Sequence, residues 1–454
     1  MKYQDALQYL NELQLFGIKL GLKNIEKLLT ELNSPHEKLK FIHVAGTNGK
    51  GSVSTLLHAA LTGCGKKTAI FTSPDLITVR ERIRINGKTI TETAFSAVIE
   101  KISKKTKIIQ KNTPDFMPTY FEALTAAALI YFAKEKVDIV IWETGMGGRL
   151  DSTNIVSPLI SVITEIGLEH SEYLGNNIQE IAMEKAGIIK KNCPVVCGSK
   201  NPEAQKVILK QAKKQQSEIL LRDKDFFILK TSYISLPQFC NSAIPQFQMN
   251  TQILIAEKKY TVKNNLWGTY QADNIATACA VLHILHKIKI IDNICETVKY
   301  MKNALWPARL QFLKGNILID GAHNPNAASA LVKSLKDAFP DRKWNAIVGI
   351  MNNKDYLCYL DTLQEICDSI IITAVKGRYP SSPEKIFKQI KNKYSNTKIH
   401  LEKEPEKALK VIESMRSPLI TGSLYLAGEI MTILYGKDYI PPILKTDSFS
   451  TCTL

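Results

Sequence analysis

A short apolar segment, a glycine-rich turn and the start of a helix pattern follow one another in Phe41-Ile42-His43-Val44-Ala45-Gly46-Thr47-Asn48-Gly49-Lys50-Gly51-Ser52. This order is typical of a phosphate-binding loop, because glycines let backbone N–H groups close around phosphate oxygens at a positively polarised helix N-terminus. Lys50 is expected to reach the outer phosphates of a nucleotide, and the Ser52 hydroxyl to approach Mg²⁺. The match is imperfect, since Gly51 separates Lys50 from Ser52. The alternative, a glycine-rich turn without function, is less favoured because of the strand and helix on either side.

Strand and helix patterns alternate around this loop. Residues 1–40 read as helical with a break at 17–22. Apolar periodicity then predicts helices at 119–135 and 178–189, and buried strands at 137–143, 159–164 and 195–197. Such alternation predicts an α/β domain like that of a P-loop ATPase, with a mostly parallel sheet covered on both faces. Residues 220–268 are short, polar and β-like, with Pro237 and Pro245 as breakers, and predict a small antiparallel patch.

A second, Rossmann-like α/β unit is predicted after residue 316. Its elements are a strand at 317–320, a helix from Pro325, strands at 346–350 and 419–421, and a helix at 272–288 precedes it. Proline is unlikely inside either element type, so the boundary is placed near Trp306-Pro307. The expected domains are therefore 1–300 and 301–437. Residues 438–454 contain two prolines and a Ser/Thr-rich end, and are expected to form a loose tail.

The composition is that of an ordinary globular protein, with 45% hydrophobic and 22% charged residues. The longest apolar runs fall far short of the roughly 20 residues that a bilayer span needs. No secretory signal is seen, and nine scattered cysteines fit a reducing cytoplasm. The net charge of +16 either steers anionic partners or reflects a lysine-rich composition, and the second reading is favoured. No basic patch with interleaved aromatic residues indicates a nucleic-acid partner.

Four further positions carry candidate chemistry. Glu143 ends a buried strand, where an open α/β sheet binds ligands, and is either a metal ligand or an acidic strand cap. Glu169-His170 follows another strand, although lone histidines are more often structural. Lys185 is by default a solvated helix cation. Asp320 opens the first strand–helix turn of the second unit, where it could accept from a ribose hydroxyl or simply shape the turn.

More motifs follow in order along the chain. They are Ser73-Pro74 with residues 79–87, Thr119-Tyr120-Phe121-Glu122, residues 143–154, Glu184-Lys185-Ala186-Gly187-Ile188, Asn274, Pro307-Ala308-Arg309, residues 320–325 and Thr421-Gly422-Ser423-Leu424-Tyr425. Together with the phosphate loop they resemble the folylpolyglutamate synthase and dihydrofolate synthase family of the Mur ligase superfamily, over residues 17–430. Only nine residues are arginine, yet five of them (Arg80, Arg82, Arg84, Arg149 and Arg309) fall inside these motifs.

The resemblance implies roles for individual residues. It implies that Ser73, Glu143 and His170 hold Mg²⁺, that Lys185 is carbamylated, and that Lys50, Lys185 and His170 serve catalysis. ATP would be bound by Gly46, Thr47, Asn48, Gly49, Lys50, Gly51, Ser52, Asn274, Arg309 and Asp320. The pterin-bearing substrate would be bound by Lys19, Leu20, Gly21, Thr119, Tyr120, Phe121, Glu122, Leu150, Asp151, Ser152 and His323.

The activity implied is ATP-dependent addition of L-glutamate to dihydropteroate, to a reduced folate, or to both, through an acyl phosphate. A cytoplasmic monomer is expected. The alternative is a related ligase with another acceptor, such as a peptidoglycan precursor, which the short segment before Gly46 disfavours. Two residues depart from the family pattern. Glu169 replaces an aspartate with little change, whereas Asp75 replaces a histidine and so bears on acceptor specificity.

Overall fold

The computed structural model describes residues 1–14, 17, 19–168, 171–235, 247–375, 380 and 382–445. Its helices are α1 Tyr3–Gln14, α2 Lys23–Glu31, α3 Lys50–Gly63, α4 Glu92–Asn112, α5 Tyr120–Lys134, α6 Ser171–Leu174, α7 Ile178–Ala186, α8 Pro202–Lys214, α9 Thr269–Lys287, α10 Ile294–Lys299, α11 Pro325–Ala338, α12 Tyr356–Leu363, α13 Pro383–Ile390, α14 Pro405–Glu413 and α15 Leu424–Tyr435. Its strands are β1 Phe41–Ala45, β2 Thr68–Phe71, β3 Ile83–Ile85, β4 Lys88–Thr89, β5 Ile139–Glu143, β6 Ile160–Ile163, β7 Val195–Cys197, β8 Ile219–Leu221, β9 Phe226–Ser235, β10 Phe247–Ile255, β11 Lys258–Asn264, β12 Gln311–Phe312, β13 Leu318–Ile319, β14 Trp344–Val348, β15 Cys367–Ile372, β16 Lys398–Leu401 and β17 Pro418–Thr421.

The first sheet has the strand order β4-β3-β2-β5-β1-β6-β7-β8. Only β3, near one edge, runs opposite to the other strands, so its pairings with β2 and β4 are antiparallel. Every residue of β1 and β5 is buried, because a parallel sheet covered on both faces has no solvent side. Ile42 and Val44 pack with α3 and α9, whereas Phe41 faces α1, α2, α4 and α5. The predicted parallel sheet with helices on both faces is confirmed.

A three-stranded antiparallel sheet follows, in the order β11-β10-β9, and packs on α9. It corresponds to the patch predicted within residues 220–268. The two prolines expected to break it, Pro237 and Pro245, lie outside the described residues.

The second large sheet has the order β12-β13-β17-β14-β15-β16 and is parallel except for β12. Helices α11, α12 and α13 cover one face, and α14 and α15 cover the other. This is the Rossmann-like unit expected from the sequence. None of the helices in the described ranges is both long and apolar enough to cross a membrane.

The expectation of a loose tail from residue 438 is wrong as far as residue 445. Ile443 and Leu444 are buried. The backbone N–H of Leu305 donates to the Ile443 carbonyl at 2.9 Å, and the N–H of Lys445 donates to the Asn303 carbonyl at 3.0 Å. The apolar side chains at 443 and 444 pack into the core. The surrounding prolines and hydroxyl residues, taken alone, had predicted a loose segment. We call residues 441–445 the strap; residues 446–454 lie outside the described part.

Candidate active site

A cavity of about 1250 Å³ lies between the two large sheets. Its walls come from the residues that follow the carboxyl ends of β1, β2, β5 and β6 in the first sheet and of β13, β14 and β17 in the second. Ligands of open α/β sheets bind at this end of the strands. All the predicted site residues line this cavity except Gly46 and His170, and His170 is outside the described residues.

The phosphate loop joins β1 to α3. Gly46 and Gly49 have φ angles of 154° and 91°, which favour glycine. The N–H groups of Thr47 and Asn48 donate to the Glu165 carbonyl, at 2.8 and 3.3 Å. The first N–H groups of α3, at residues 50–52, have no acceptor within the helix and point toward its N-terminus. Lys50 Nζ donates to the carbonyls of Gly46 at 2.9 Å and Thr47 at 3.2 Å, so its charge stays beside the loop.

Gly51 and Ser52 show why this loop departs from the common pattern. A β-carbon on Gly51 would lie 2.4 Å from the Trp306 ring, so only glycine fits between Lys50 and Ser52. The Ser52 hydroxyl is buried and accepts a hydrogen bond from Gln271 Nε2 at 3.3 Å. Ser52, expected to approach Mg²⁺, therefore already has a protein partner.

Glu143 ends β5 with its side chain only 2% exposed. Its Oε2 atom has no hydrogen-bond partner among the described residues. Burial raises the pKa of Glu143 to about 7, against the opposing positive charges of Lys50, Arg309 and Arg82. A buried carboxylate oxygen without a partner is costly unless a cation or proton meets it. Glu143 therefore fits a hard divalent cation such as Mg²⁺.

The structure gives less support for the other two predicted metal ligands, Ser73 and His170. Ser73 lines the same cavity, and its backbone lies close enough to Glu143 to lower the pKa of that carboxyl by hydrogen bonding. No cluster of three or more His, Cys, Asp or Glu side chains occurs in the described ranges, and His170 falls outside them.

Lys185 lies on α7 with a side chain that is 3% exposed, so it is not the solvated cation that a helix lysine is by default. Its Nζ donates to the Gly46 carbonyl at 2.8 Å. The same carbonyl accepts from Lys50, so both lysines meet behind the phosphate loop.

The second unit contributes Asp320 and Arg309. Asp320 Oδ2 accepts from the Leu310 N–H at 2.9 Å and the Tyr270 hydroxyl at 3.2 Å, and Oδ1 accepts from the Ala322 N–H at 2.9 Å. Burial raises the pKa of Asp320. Its carboxylate thus shapes the turn, while the N-cap of α11 is Asn324, whose Oδ1 accepts from the Ala327 N–H.

Asn274 faces the phosphate loop. A β-carbon on Gly49 would lie 2.3 Å from Asn274 Oδ1, and Asn274 Nδ2 donates to Gln271 Oε1 at 2.9 Å.

The predicted pterin side of the cavity is built from helix caps and turns. Thr119 and Glu122 form a reciprocal capping box at the start of α5, at 2.7 and 3.2 Å. Asp151 Oδ2 accepts from the Met146 N–H at 2.7 Å, so its charge also serves the local turn. The Gly21 N–H donates to the Leu150 carbonyl at 3.3 Å and joins two predicted segments. Tyr120 and Phe121 present aromatic rings to the cavity.

The sequence did not predict that Arg82 and Asp75 form an ion pair. Arg82 Nε donates to Asp75 Oδ1 at 2.5 Å, and the guanidinium lies 5.6 Å from the centre of the Tyr120 ring. Both charged side chains line the cavity. The sequence held one signal for Arg82: five of the nine arginines fall inside the motifs. Two of the others in that group, Arg84 and Arg309, also line the cavity. Arg149 instead pairs with Glu184 at 2.8 Å near the surface.

Comparison with known protein families gives two matches. Residues 86–282 match the Mur ligase middle domain, and residues 308–424 match the Mur ligase glutamate ligase domain. The chain is 34% identical to the dihydrofolate synthase/folylpolyglutamate synthase of Bacillus subtilis, over 94% of this chain and 98% of that protein.

Solved structures agree with these matches. The Mycobacterium tuberculosis folylpolyglutamate synthase complexed with ADP and AMPPCP superposes with a TM-score of 0.84 and 27% identity, covering 97% of this chain and all of that one. A folylpolyglutamate synthase–AMPPCP–folate complex superposes with a TM-score of 0.78 and 30% identity, covering 96% and 100%.

Proposed function

Because the chain belongs to the family of folylpolyglutamate and dihydrofolate synthases, we propose that its central cavity is the site of ATP-dependent glutamate ligation. The protein is a ligase that adds L-glutamate to dihydropteroate, to a tetrahydrofolate, or to both. The observation that carries the assignment of the site is that Lys50 and the buried Glu143, whose Oε2 has no partner among the described residues, line the same cavity between the two sheets.

ATP is proposed to bind with its phosphates on the loop from Gly46 to Ser52. The N–H groups at the start of α3 would face the phosphate oxygens, and Lys50 would leave the loop carbonyls to pair with them. Asn274 on the first unit and Arg309 with Asp320 on the second would hold the rest of the nucleotide. In support, all three line the cavity from opposite walls.

Glu143, with Ser73 and His170, is proposed to hold Mg²⁺. When bound there, Mg²⁺ supplies positive charge beside the terminal phosphate of ATP. The raised pKa of Glu143 supports this role, because a carboxyl that is costly to ionise alone is stabilised as a carboxylate by a cation.

The ligation proceeds in two steps. A carboxylate oxygen of the pterin-bearing acid attacks the γ-phosphorus of ATP, the bond to the bridging oxygen breaks, and ADP leaves. Lys50 offsets charge on the phosphoryl group as it transfers. The amine of L-glutamate then attacks the acyl carbon, phosphate leaves with the former carboxylate oxygen, and the nitrogen loses a proton. Water would hydrolyse the acyl phosphate, so enclosure between the two sheets protects it.

Lys185 is proposed to carry a carbamate. The ammonium group would first lose one proton; the neutral amine would then form an N–C bond to CO₂ and lose a second proton, which leaves a carbamate anion in place of the lysine cation. The burial of Lys185 supports this, because its side chain lies in the cavity beside the phosphate loop instead of in solvent. A carbonyl-carbon NMR signal from protein equilibrated with ¹³CO₂ should appear in the wild type and vanish in Lys185→Ala. Added short carboxylates should partly restore turnover to that variant, and failure of both would end the proposal.

The pterin-bearing substrate is proposed to lie against Tyr120 and Phe121, near Lys19 to Gly21, Leu150 to Ser152 and His323. The assay that tests the function measures ADP release with dihydropteroate, tetrahydrofolate and peptidoglycan precursors, each with a panel of amino acids. We expect release with a pterin acid and L-glutamate only. Release with a different acceptor, or none with either pterin, would overturn the assignment.

We also propose a monomer in a reducing cytoplasm. Unpaired thiols support the location, since seven cysteines in the described residues are not in disulfides. Light scattering at assay concentration tests the monomer, and a dimer mass would contradict it.

A further inference from the structure

The indole of Trp306 lies against the first turn of α3. A β-carbon on Gly51 would lie 2.4 Å from Cζ2 and 2.8 Å from Nε1 of Trp306. Gly51 does not have the left-handed φ of Gly46 and Gly49, so its backbone does not demand glycine. Glycine is required there because the indole occupies the space that a β-carbon would need. Gly51 stands between Lys50 and Ser52, so this contact is made at the phosphate loop itself.

The strap is bonded to the three residues just before Trp306. Residues 303–305, which we call the linker, pair with residues 443–445 through two backbone hydrogen bonds: the Leu305 N–H donates to the Ile443 carbonyl at 2.9 Å, and the Lys445 N–H donates to the Asn303 carbonyl at 3.0 Å. Ala304 and Leu444 form the antiparallel bridge between them. The linker and strap therefore form a short two-stranded ribbon that ends at Trp306.

The other side of the strap is fixed to the first sheet. The buried Arg84 on β3 donates from Nη2 to the Pro441 carbonyl at 2.9 Å. Leu444 packs against Gly87 in the β3–β4 turn, where a β-carbon would lie 3.0 Å from Leu444 Cδ1. The strap thus comes from the end of the second unit and is bonded to the first one.

We propose that Trp306 is a positioning residue for the phosphate loop and that the strap holds it there. The flat indole against Gly51 prevents the first turn of α3 from shifting. The backbone N–H groups of residues 50–52 therefore stay directed toward the phosphate oxygens. Misplacement of a bound group by about 1 Å can lower a rate by about a hundredfold. Arg309 follows Trp306 by three residues. The contact between Trp306 and Gly51 therefore also fixes the position of Arg309, and of the second unit, relative to the phosphates. The inference rests on the proposed function only in taking ATP as the ligand of the loop.

The first test measures binding rather than turnover. AMPPCP with Mg²⁺ is titrated calorimetrically into wild type, Trp306→Phe and Trp306→Ala, and dihydropteroate is titrated as an internal reference. We expect about tenfold weaker AMPPCP binding for Trp306→Ala, a smaller loss for Trp306→Phe, and unchanged dihydropteroate binding. Phe132→Leu is the matched control, since Phe132 is a fully buried aromatic residue on the far face of the first sheet and does not line the cavity. Unchanged AMPPCP affinity in Trp306→Ala, or equal weakening of both ligands, would overturn the proposal.

A double-mutant cycle tests the contact directly. Gly51→Ala should weaken AMPPCP binding strongly when Trp306 is present and much less in the Trp306→Ala background, because the clashing ring is gone. Additive losses would contradict the contact. Leu444→Ala, which loosens the strap, should weaken AMPPCP binding in the same direction as Trp306→Ala. If the wild type binds AMPPCP but releases no ADP with any pterin acid, the proposed function fails while this inference stands.

Discussion

At the scale of single residues, the proposed mechanism depends most directly on the charges of Glu143, which would hold Mg²⁺, and Lys50, which would pair with the transferring phosphoryl group. We expect Glu143→Gln and Lys50→Ala each to lower kcat by about 10²–10³-fold or more, measured by ADP release. Neither change should unfold the chain, because Oε2 of Glu143 lacks a partner in the described residues and Lys50 bonds only to loop carbonyls. A thermal melt serves as the control. Near-normal turnover in either variant would refute its role.

Asp75, the departure from the family pattern that the sequence analysis expects, lines the cavity. Its carboxylate fixes Arg82 through the Nε atom, so the remaining guanidinium edge keeps one orientation beside Tyr120. We expect Asp75→Asn to raise KM for the carboxylate substrates about five- to tenfold while KM for ATP stays constant, since a mobile Arg82 attracts anions less well.

Arg80, two residues before Arg82, offers the control for Asp75. It pairs with Glu92 at 3.4 Å, and neither residue lines the cavity. Glu92→Gln should therefore change no KM. If Asp75→Asn raised KM for ATP by the same factor as for L-glutamate, the assigned role of the pair in holding carboxylates would be wrong.

At the scale of elements, Thr119 tests whether a predicted substrate residue is in fact a helix cap. Its hydroxyl accepts from the Glu122 N–H at the start of α5. We expect Thr119→Ala to lower the free energy of unfolding by about 1 kcal/mol, as loss of an N-cap does. Thr91 caps α4 in the same way, without lining the cavity, so Thr91→Ala should cost a similar amount in urea unfolding. A rise in KM for the pterin acid in Thr119→Ala alone would show an added substrate contact.

Elements with a strong local pattern were predictable. Strands 41–45 and 195–197 match β1 and β7, because buried parallel strands read as apolar runs bounded by glycine and proline. Short strands such as β3 and β16 were missed, since pairing with neighbours, rather than their own pattern, stabilises them. The phosphate loop and Glu143 were placed correctly in one crevice by the rule for strand ends. The packing of Trp306 on Gly51 and the strap on Arg84 joins segments hundreds of residues apart, and no local pattern encodes such contacts.

At the scale of the whole molecule, two buried histidines make stability sensitive to acid. Burial lowers the pKa of His43 and His58 to about 3. A lowered pKa in the folded state means that stability is complete above pH 6.5 and is lost as the pH falls from 6.5 towards 3. We expect a loss of about 2 kcal/mol per histidine between pH 7 and pH 5, measured by urea unfolding. His58→Gln should lose less, while the exposed His400→Gln should follow the wild type. Parallel curves for wild type and His58→Gln would contradict this account.

The two large sheets share one hydrophobic core, and an aromatic cluster joins them. The aromatic cluster consists of Phe247 and Trp267 from the first part and Phe312, Phe339 and Trp344 from the second. Trp267 stacks on Phe312 at 6.2 Å, and Phe247 meets Phe339 edge-on at 5.1 Å. An apolar joint of this kind couples neighbouring units, so we expect urea to unfold the wild type in one transition, with fluorescence and circular dichroism coincident.

Phe339→Ala should weaken the joint and lower the m value as well as the midpoint, because the two units then begin to unfold separately. Phe132→Ala removes a fully buried ring on the far face of the first sheet, so it should lower the midpoint with the m value unchanged. Equal m values in both variants would show that the aromatic cluster does not couple the units.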